Sequence, residues 1–307
     1  FGSRCTSHAI RAPLGRSLGH ARELCGHAAR GILSAPHMAE DERKALDGTG
    51  MAEKFDITEV VYGGLASAIF LGVPKTRGGL RVGIKVILKR KLDGKAELDR
   101  CLAETDLHRC VPPHPNVVRL LENEVTSEAL LLATPYTDHG DLWALTRYGA
   151  TYCEREVRNC AGQMLQALNH IHNVCAIVHN DIKPHNFLIF AAEGGRNVLQ
   201  LCDFGLAEWP GHAIVSSGLR GTSGWFAPET IRGGEHGFGV DLFGVGLIVF
   251  RMLAGYAPFD PPTNFEAVEF EEMCHAPLAA SQGEQGYNVD DDDRLGIISK
   301  GLHRVAS

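Results

Sequence analysis

The sequence predicts an α+β fold in two unequal halves, a small strand-rich one followed by a larger helical one. Three observations predict it. Val82, Ile84, Val86 and Leu88 alternate with Gly83, Lys85 and Ile87, the period-two signature of a strand. Val157, Cys160, Met164, Leu168 and Ile171 recur at helical spacing and mark an amphipathic helix over 154–173. Residues 240–254 are apolar nearly all round, as in a helix buried on every side.

Composition bounds the alternatives. A chain of 307 residues makes about two domains or one large one. With 44% hydrophobic and 22% charged residues it is an ordinary globular chain, which excludes collagen and wholesale disorder. No uncharged apolar run approaches the roughly 18 residues of a membrane span; the longest, Leu242 to Phe250, is bracketed by Asp241 and Arg251. A net charge of −7 argues against a dedicated nucleic-acid binder, which would carry a basic surface. Nine cysteines without a C-x-x-C pair read as reduced intracellular thiols, with the cytoplasm the favoured compartment.

Residues 1–50 stand apart. Arg4, Arg11, Arg16, Arg22 and Arg30 lie among Ala, Gly, Ser and His, with Glu23 the one acid before Glu40. Such a leader resembles an organelle transit peptide, but a disordered extension is the favoured reading. The folded domain is expected over 51–307, its strand-rich half at about 54–136 and its helical half from 137. After the strand at 82–88, residues 95–110 read as a helix stopped before Pro112-Pro113. Leu130 to Ala133 reads as a short strand. Val178 to Phe190 and Val198 to Cys202 read as strands around a turn at Glu193-Gly194-Gly195. Asp290 to Asp293 reads as a solvated loop or helix start.

The chemistry concentrates in His179-Asn180-Asp181-Ile182-Lys183-Pro184-His185-Asn186, followed by Asp203-Phe204-Gly205. Each piece alone is weak, and each residue taken singly has a bland reading as a solvated or turn-forming group. Together, in this order, they resemble the catalytic and magnesium loops of eukaryotic protein kinases. The rest of that pattern is present: Lys85 on a strand, Glu104 on a following helix, His114-Pro115-Asn116, Gly221-Thr222, Ala227-Pro228-Glu229, and Asp241 with Gly246. The resemblance covers residues 54–307. It implies a bilobal kinase-like fold, with an antiparallel-sheet N-terminal lobe and a helical C-terminal lobe, acting on a protein substrate with ATP and Mg²⁺.

The resemblance also implies roles. Lys85, paired with Glu104, would hold the α/β-phosphates; Asp203 would ligate Mg²⁺ and Asn186 a second Mg²⁺, both being hard oxygen donors. Asp181 would act as catalytic base and Lys183 would neutralise the γ-phosphate, with Thr222 in the same network. Lys183 marks serine/threonine specificity in this family. The Pro135 carbonyl and Thr137 amide would bond the adenine edge, Thr134 would guard the back of the pocket and Asp141 would reach the ribose. Phe70 and Gly83 would flank the adenine. His179 is expected to be structural and Cys202 a buried, alkylatable hydrophobe. Gly255-Tyr256-Ala257-Pro258-Phe259 loosely resembles calmodulin-dependent and calcium-dependent kinases.

Three departures weigh on activity. In the phosphate loop, expected as G-x-G-x-x-G, Gly63-Gly64-Leu65-Ala66-Ser67-Ala68 keeps Gly63 and Gly64 as phosphate-facing residues, and Leu65 and Ala68 replace glycines, which predicts weakened ATP affinity. Asn180 replaces the arginine that pairs with an activation-loop phosphate, although Ser216, Ser217, Thr222 and Ser223 remain available there. No D-P-x-x-R segment follows Leu302, so Glu229 is expected to lack its arginine, at a cost of about 3–5 kcal/mol for a buried carboxylate. Trp225 stands where tyrosine is usual. The rival expectation is a pseudokinase serving as a binding or allosteric module. A small-molecule phosphotransferase is disfavoured, because Gly221-Thr222 and Ala227-Pro228-Glu229 shape a peptide platform.

Overall fold

A computed structural model of the chain describes residues 39–64, 67–146, 149–209, 221–222, 224–232 and 236–258. Two short helices, α1 (Glu40–Lys44) and α2 (Gly50–Lys54), lead into strands β1 (Phe55–Gly63), β2 (Ser67–Pro74) and β3 (Val82–Leu88). Helix α3 (Gly94–Cys110) follows, then β4 (Glu122–Val125) and β5 (Ala129–Pro135). The five strands form one antiparallel sheet in the order β1-β2-β3-β5-β4.

Period-two alternation divides this sheet into two buried faces. Val82, Ile84, Val86 and Leu88 share the outer face with Ala68, Phe70, Leu131 and Ala133, under Leu46 and Met51 from the α1–α2 segment. Ile87, Leu130 and Leu132 share the inner face and pack against Leu98, Cys101 and Leu102 of α3. Lys85 is on the inner face, between the sheet and α3.

The domain boundary expected at residue 51 is therefore corrected: residues 39–54 belong to the folded unit. Leu46 and Met51 are 2% and 1% exposed, and burial of each contributes about 1.5–3 kcal/mol. Polar contacts fix the segment. Arg43 donates to the Ile57 and Thr58 carbonyls at 2.9 Å each. The Thr49 hydroxyl caps α2 by accepting from Ala52 N at 3.3 Å, and Glu124 accepts from the Gly50 and Met51 amides. The leader reading for residues 1–38 lies outside the described residues.

The helical half contains α4 (Leu142–Thr146), α5 (Glu154–Asn173), α6 (Pro228–Ile231) and α7 (Gly239–Ala254), with a hairpin of β6 (Phe187–Ala191) and β7 (Asn197–Leu201). Glu156 accepts from the Cys153 amide and opens α5. The buried face of α5 meets Phe187, Leu201, Val245 and Ile248 in the larger core. The two halves are tied at His114-Pro115-Asn116: Asn116 Nδ2 donates to the Leu199 carbonyl at 2.9 Å, and the Val118 and Leu201 amides donate across the junction at 2.8 Å each.

One expected strand is shorter than predicted. Of Val178 to Phe190, only Phe187 to Phe190 pair as strand; 178–186 is loop, with a 3₁₀ turn at Pro184–Asn186. Apolar composition alone could not reveal that the His179 and Asn180 amides are bonded to the Asp241 side chain rather than to a ladder. Helix α7 approaches this loop at a glycine: a Cβ on Gly244 would lie 2.7 Å from Ile182 Cβ and 2.8 Å from its carbonyl oxygen. Gly246, the motif glycine, would meet nothing within 4 Å among the described residues. Gly244→Val is expected to lower stability by about 1–3 kcal/mol, the cost of overpacking a close contact. A urea midpoint equal to that of wild type would disprove the close approach.

Candidate active site

The strand, helix and loops bring the sequence-predicted polar groups into one cleft. Lys85 Nζ lies 2.9 Å from Glu104 Oε1 and 3.2 Å from Asp203 Oδ1. Burial would pull the ammonium pKa down, but the Asp203 and Glu104 carboxylates outweigh it and raise it above the ordinary value. Lys85 in turn holds the Asp203 carboxyl below the usual carboxylate range, against the effect of burial. Asp203 has φ +65, the left-handed region that non-glycine residues seldom occupy.

A second network surrounds Asp181. Lys183 Nζ donates to Asp181 Oδ2 and to Thr222 Oγ1, each at 2.6 Å, and Thr222 Oγ1 donates to Asp181 Oδ1 at 3.0 Å. Asn186 Nδ2 donates to the Asp181 carbonyl at 2.8 Å and to Oδ2 at 3.1 Å. That spends the Asn186 amide nitrogen on protein and leaves its oxygen as the atom that could accept a cation. The Asn186 carbonyl accepts from Cys202 N at 2.9 Å, so Asn186 and Asp203 are neighbours across the cleft. Two hard oxygen donors fit Mg²⁺, which takes one or two protein carboxylates or amides and completes its shell with phosphate and water. Among the described residues no group of three or more His, Cys, Asp or Glu side chains forms an all-protein metal cage.

Asp241 is the residue whose role the motif pattern left unassigned. Its carboxylate, 1% exposed, accepts from the His179 and Asn180 amides at 2.8 and 2.9 Å and faces His172 Nε2 at 2.8 Å. These bonds clamp the backbone immediately before Asp181. His179 is structural, as expected: its ring packs on Phe204 at 5.3 Å, and Phe204 stacks on His108 of α3 at 4.7 Å. Phe204 is 1% exposed. A buried column thus runs from α7 through the loops to the helix bearing Glu104. Cys202 is half-buried rather than fully buried as expected, and desolvation pushes its thiol pKa up.

Asn180 sits at φ +64, a conformation asparagine tolerates. Its Nδ2 donates to the Leu206 carbonyl at 3.0 Å and to Glu208 Oε1 at 2.9 Å, and its Oδ1 meets His236 Nε2 at 3.2 Å. A carboxylate, not a guanidinium, therefore shares this position. Ser216, Ser217 and Ser223 lie outside the described residues.

The phosphate-loop frame is corrected by one residue. Gly63 pairs with Ala68, and Gly64 N donates to the Ser67 carbonyl at 2.8 Å, closing a turn whose tip, Leu65-Ala66, lies outside the described residues. Strand partners share a face, and Ile69 and Leu132 are the partners of Lys85. Phe70 pairs with Ile84 instead, is fully buried in the outer core, and has Arg43 over its ring at 6.0 Å. Phe70 cannot flank the adenine; Ile69 occupies the cleft face. In this frame Tyr62, Gly64 and Ser67 fall at the three glycine positions, because side-chain parity, not glycine spacing, sets the register.

Gly83 and Thr134 are strand partners on the cleft face, as expected. The Thr137 hydroxyl donates to the Ile189 carbonyl at 2.5 Å, and among the described residues nothing bonds the Thr137 amide. Asp141 Oδ1 accepts from Ala144 N at 2.9 Å, a capping role the sequence reading missed although an Asp just before a helix signals it. Glu229 is only half-buried, so the cost of a fully buried unpaired carboxylate does not apply. Leu302 to Ser307, Asp290 to Asp293 and Phe259 lie outside the described residues.

A five-stranded lobe against a helical one, with this cleft between them, is the architecture of protein kinases. Residues 58–294 match the family model described as "Protein kinase domain", and the chain belongs to that family. It is 29% identical over 223 residues to the calcium/calmodulin-dependent protein kinase type 1 of Caenorhabditis elegans, covering 70% of this chain and 62% of that protein. It is 30% identical over 238 residues to human serine/threonine-protein kinase DCLK2, covering 76% of this chain and 30% of that protein. The probable serine/threonine-protein kinase fhkE of Dictyostelium discoideum is 29% identical over 240 residues, 76% of this chain and 33% of that protein. The chain thus spans under two thirds of each of these relatives. Among the described residues no helix is long and apolar enough to cross a membrane.

The buried column makes stability depend on pH. Burial lowers the His108 pKa from its ordinary 6.5, aided by Lys85 and opposed by the Val118 carbonyl and by Asp203. Below pH 6.5 the unfolded chain binds the proton first, so stability is present above that pH and is lost as pH falls toward the lowered value. His114 and His185 shift the same way. The melting temperature is expected to fall between pH 7 and 5, less steeply in His108→Leu. Parallel profiles for the two proteins would contradict this account.

Proposed function

We propose that the chain is a protein serine/threonine kinase that transfers the γ-phosphate of ATP to a protein hydroxyl. The observation that carries this reading is the intact Lys85–Glu104 pair with Asp203 on the same ammonium. Phosphoryl transfer needs positioning and charge neutralisation more than covalent chemistry. Lys85, held by Glu104, supplies a fixed cation for the α/β-phosphates. Asn186 Oδ1 and the Asp203 carboxylate would hold Mg²⁺, which when bound neutralises phosphate charge. Asp181 orients the acceptor hydroxyl and takes up its proton. Lys183 neutralises the transferring group while bonded to Asp181 and Thr222. The Thr137 amide and Pro135 carbonyl would bond the adenine edge, and Gly64, just after β1, would approach the phosphates.

The domain in this reading begins by residue 39, since α1 and α2 cover its sheet. The Asn180–Glu208 contact supports a further point: an activation-loop phosphate would meet a carboxylate where a guanidinium normally waits. Phosphorylation there is not the ordering switch. Phosphorylated and phosphatase-treated samples are expected to differ by less than about tenfold in turnover, the effect of about 1.4 kcal/mol; a larger difference would overturn this point.

One measurement establishes nucleotide binding, and a second separates a kinase from a pseudokinase scaffold, which the loss of glycine at Tyr62 and Ser67 favours. Mg·ATP is expected to raise the melting temperature saturably, by linkage worth about 2.7 kcal/mol at 100-fold excess over Kd. Lys85→Met should abolish that rise. Radiolabel transfer to a protein substrate should appear with wild type and vanish in Asp203→Ala. Equal background in both proteins would indicate the scaffold.

A further inference from the structure

Beside the transfer machinery the helical lobe carries a second cluster that the mechanism does not use. The rings of Trp143 in α4 and His185 in the 3₁₀ turn stack at 4.7 Å with 21° between planes. The Arg251 guanidinium, from the last turn of α7, lies 4.6 Å over the Trp143 ring. Arg251 Nε donates to the Thr146 carbonyl at 3.2 Å. Its two terminal nitrogens have no hydrogen-bond partner, and no carboxylate pairs with it, among the described residues.

This is an unusual expenditure of charge. A half-buried guanidinium loses hydration and normally recovers the loss from a counter-ion. Here burial lowers the Arg251 pKa and no carboxylate opposes it, yet a guanidinium stays charged at any physiological pH. The His185 ring, stacked on Trp143, supplies an aromatic face here and not a counter-ion. What faces solvent is an aromatic ledge with one fixed cation and no acidic group of its own.

Its position assigns it a partner. His185 is exposed, adjoins Asn186 and lies two residues from Lys183, which is bonded to Asp181. A peptide that presents a hydroxyl to Asp181 must lay its neighbouring side chains along this part of the lobe. A guanidinium with two free terminal nitrogens is a bidentate fork that matches a carboxylate. We propose that Arg251, seated on Trp143 and His185, is a specificity-determining residue that binds an acidic side chain of the protein substrate beside the phospho-acceptor. The inference rests on the kinase reading above and specifies its substrate class as acidic peptides.

The test uses two fluorescent peptides, each with one central serine, flanked on both sides by glutamates in one and by arginines in the other. Binding is followed by anisotropy at fixed ionic strength, which requires no turnover. Wild type is expected to bind the glutamate peptide at least about tenfold more tightly. Arg251→Glu should remove or reverse that preference, and Arg251→Lys should keep part of it. His185→Glu, on an exposed loop, should shift it the same way and serves if Arg251→Glu does not fold. Arg158→Glu, an equal charge change on the exposed face of α5, should leave the preference intact. Equal or tighter binding of the arginine peptide by wild type overturns the proposal. So does an unchanged preference in Arg251→Glu, or an equal loss in Arg158→Glu. Glutamate preference without radiolabel transfer to either peptide supports the subsite and counts against the kinase reading alone.

Discussion

The Asp241 carboxylate, buried at the start of α7, organises the cleft. Burying a carboxylate is costly unless hydrogen bonds replace its hydration. Here the two backbone amides of His179 and Asn180 do so, with His172 alongside. Because both amides belong to the residues just before Asp181, satisfying the buried charge also sets where the catalytic loop begins. Gly244, one helical turn on, lets Ile182 approach α7 closely enough for those bonds to form. From the same loop His179 supports Phe204, which supports His108 and so the helix carrying Glu104. The loop before Asp181, the Asp203-Phe204 segment and the helix bearing Glu104 are therefore held by one contiguous column.

The polar groups in the cleft are arranged as two linked sets. Lys85 serves two carboxylates, and among the described residues neither carboxylate pairs with another lysine or arginine. Asp181 is bonded by Lys183, Thr222 and Asn186, which fixes its geometry. In the proposed reading such preorganisation supplies the rate advantage of phosphoryl transfer, since fixed dipoles and charges need not reorganise during reaction. The departures from the family pattern among the described residues, at the β1–β2 turn and at Asn180, fall outside both sets; in the proposed reading they bear on nucleotide grip and on control rather than on the transfer groups.

Much of the fold was legible because its periodicities are strong. The β3 alternation, the α5 stripe and the apolar α7 all name their elements directly, and ordered motifs located Lys85, Glu104, Asp181, Asn186 and Asp203 without any contact information. Errors arose where two structural solutions share one composition. An apolar run such as Val178 to Phe190 fits a strand or a loop pinned by a distant side chain. An acid-poor leader and a packed cap merge when read by composition, although only the latter contributes Leu46 and Met51 to a core. Glycine spacing placed Phe70 beside the adenine; the ladder pairs it with Ile84 and turns it to the opposite face.

By itself the sequence determined the strongly periodic elements, the two-lobed class and which polar residues to look for in one cleft, because local periodicity and motif order are properties of the chain. Tertiary structure alone decided strand register, the clamp by Asp241, the company kept by Asn180 and the stacking of Arg251 on Trp143. The last three join residues from 26 to more than 100 positions apart. Their energetics depend on burial and on the direction a side chain faces, and a one-residue change of register reverses both.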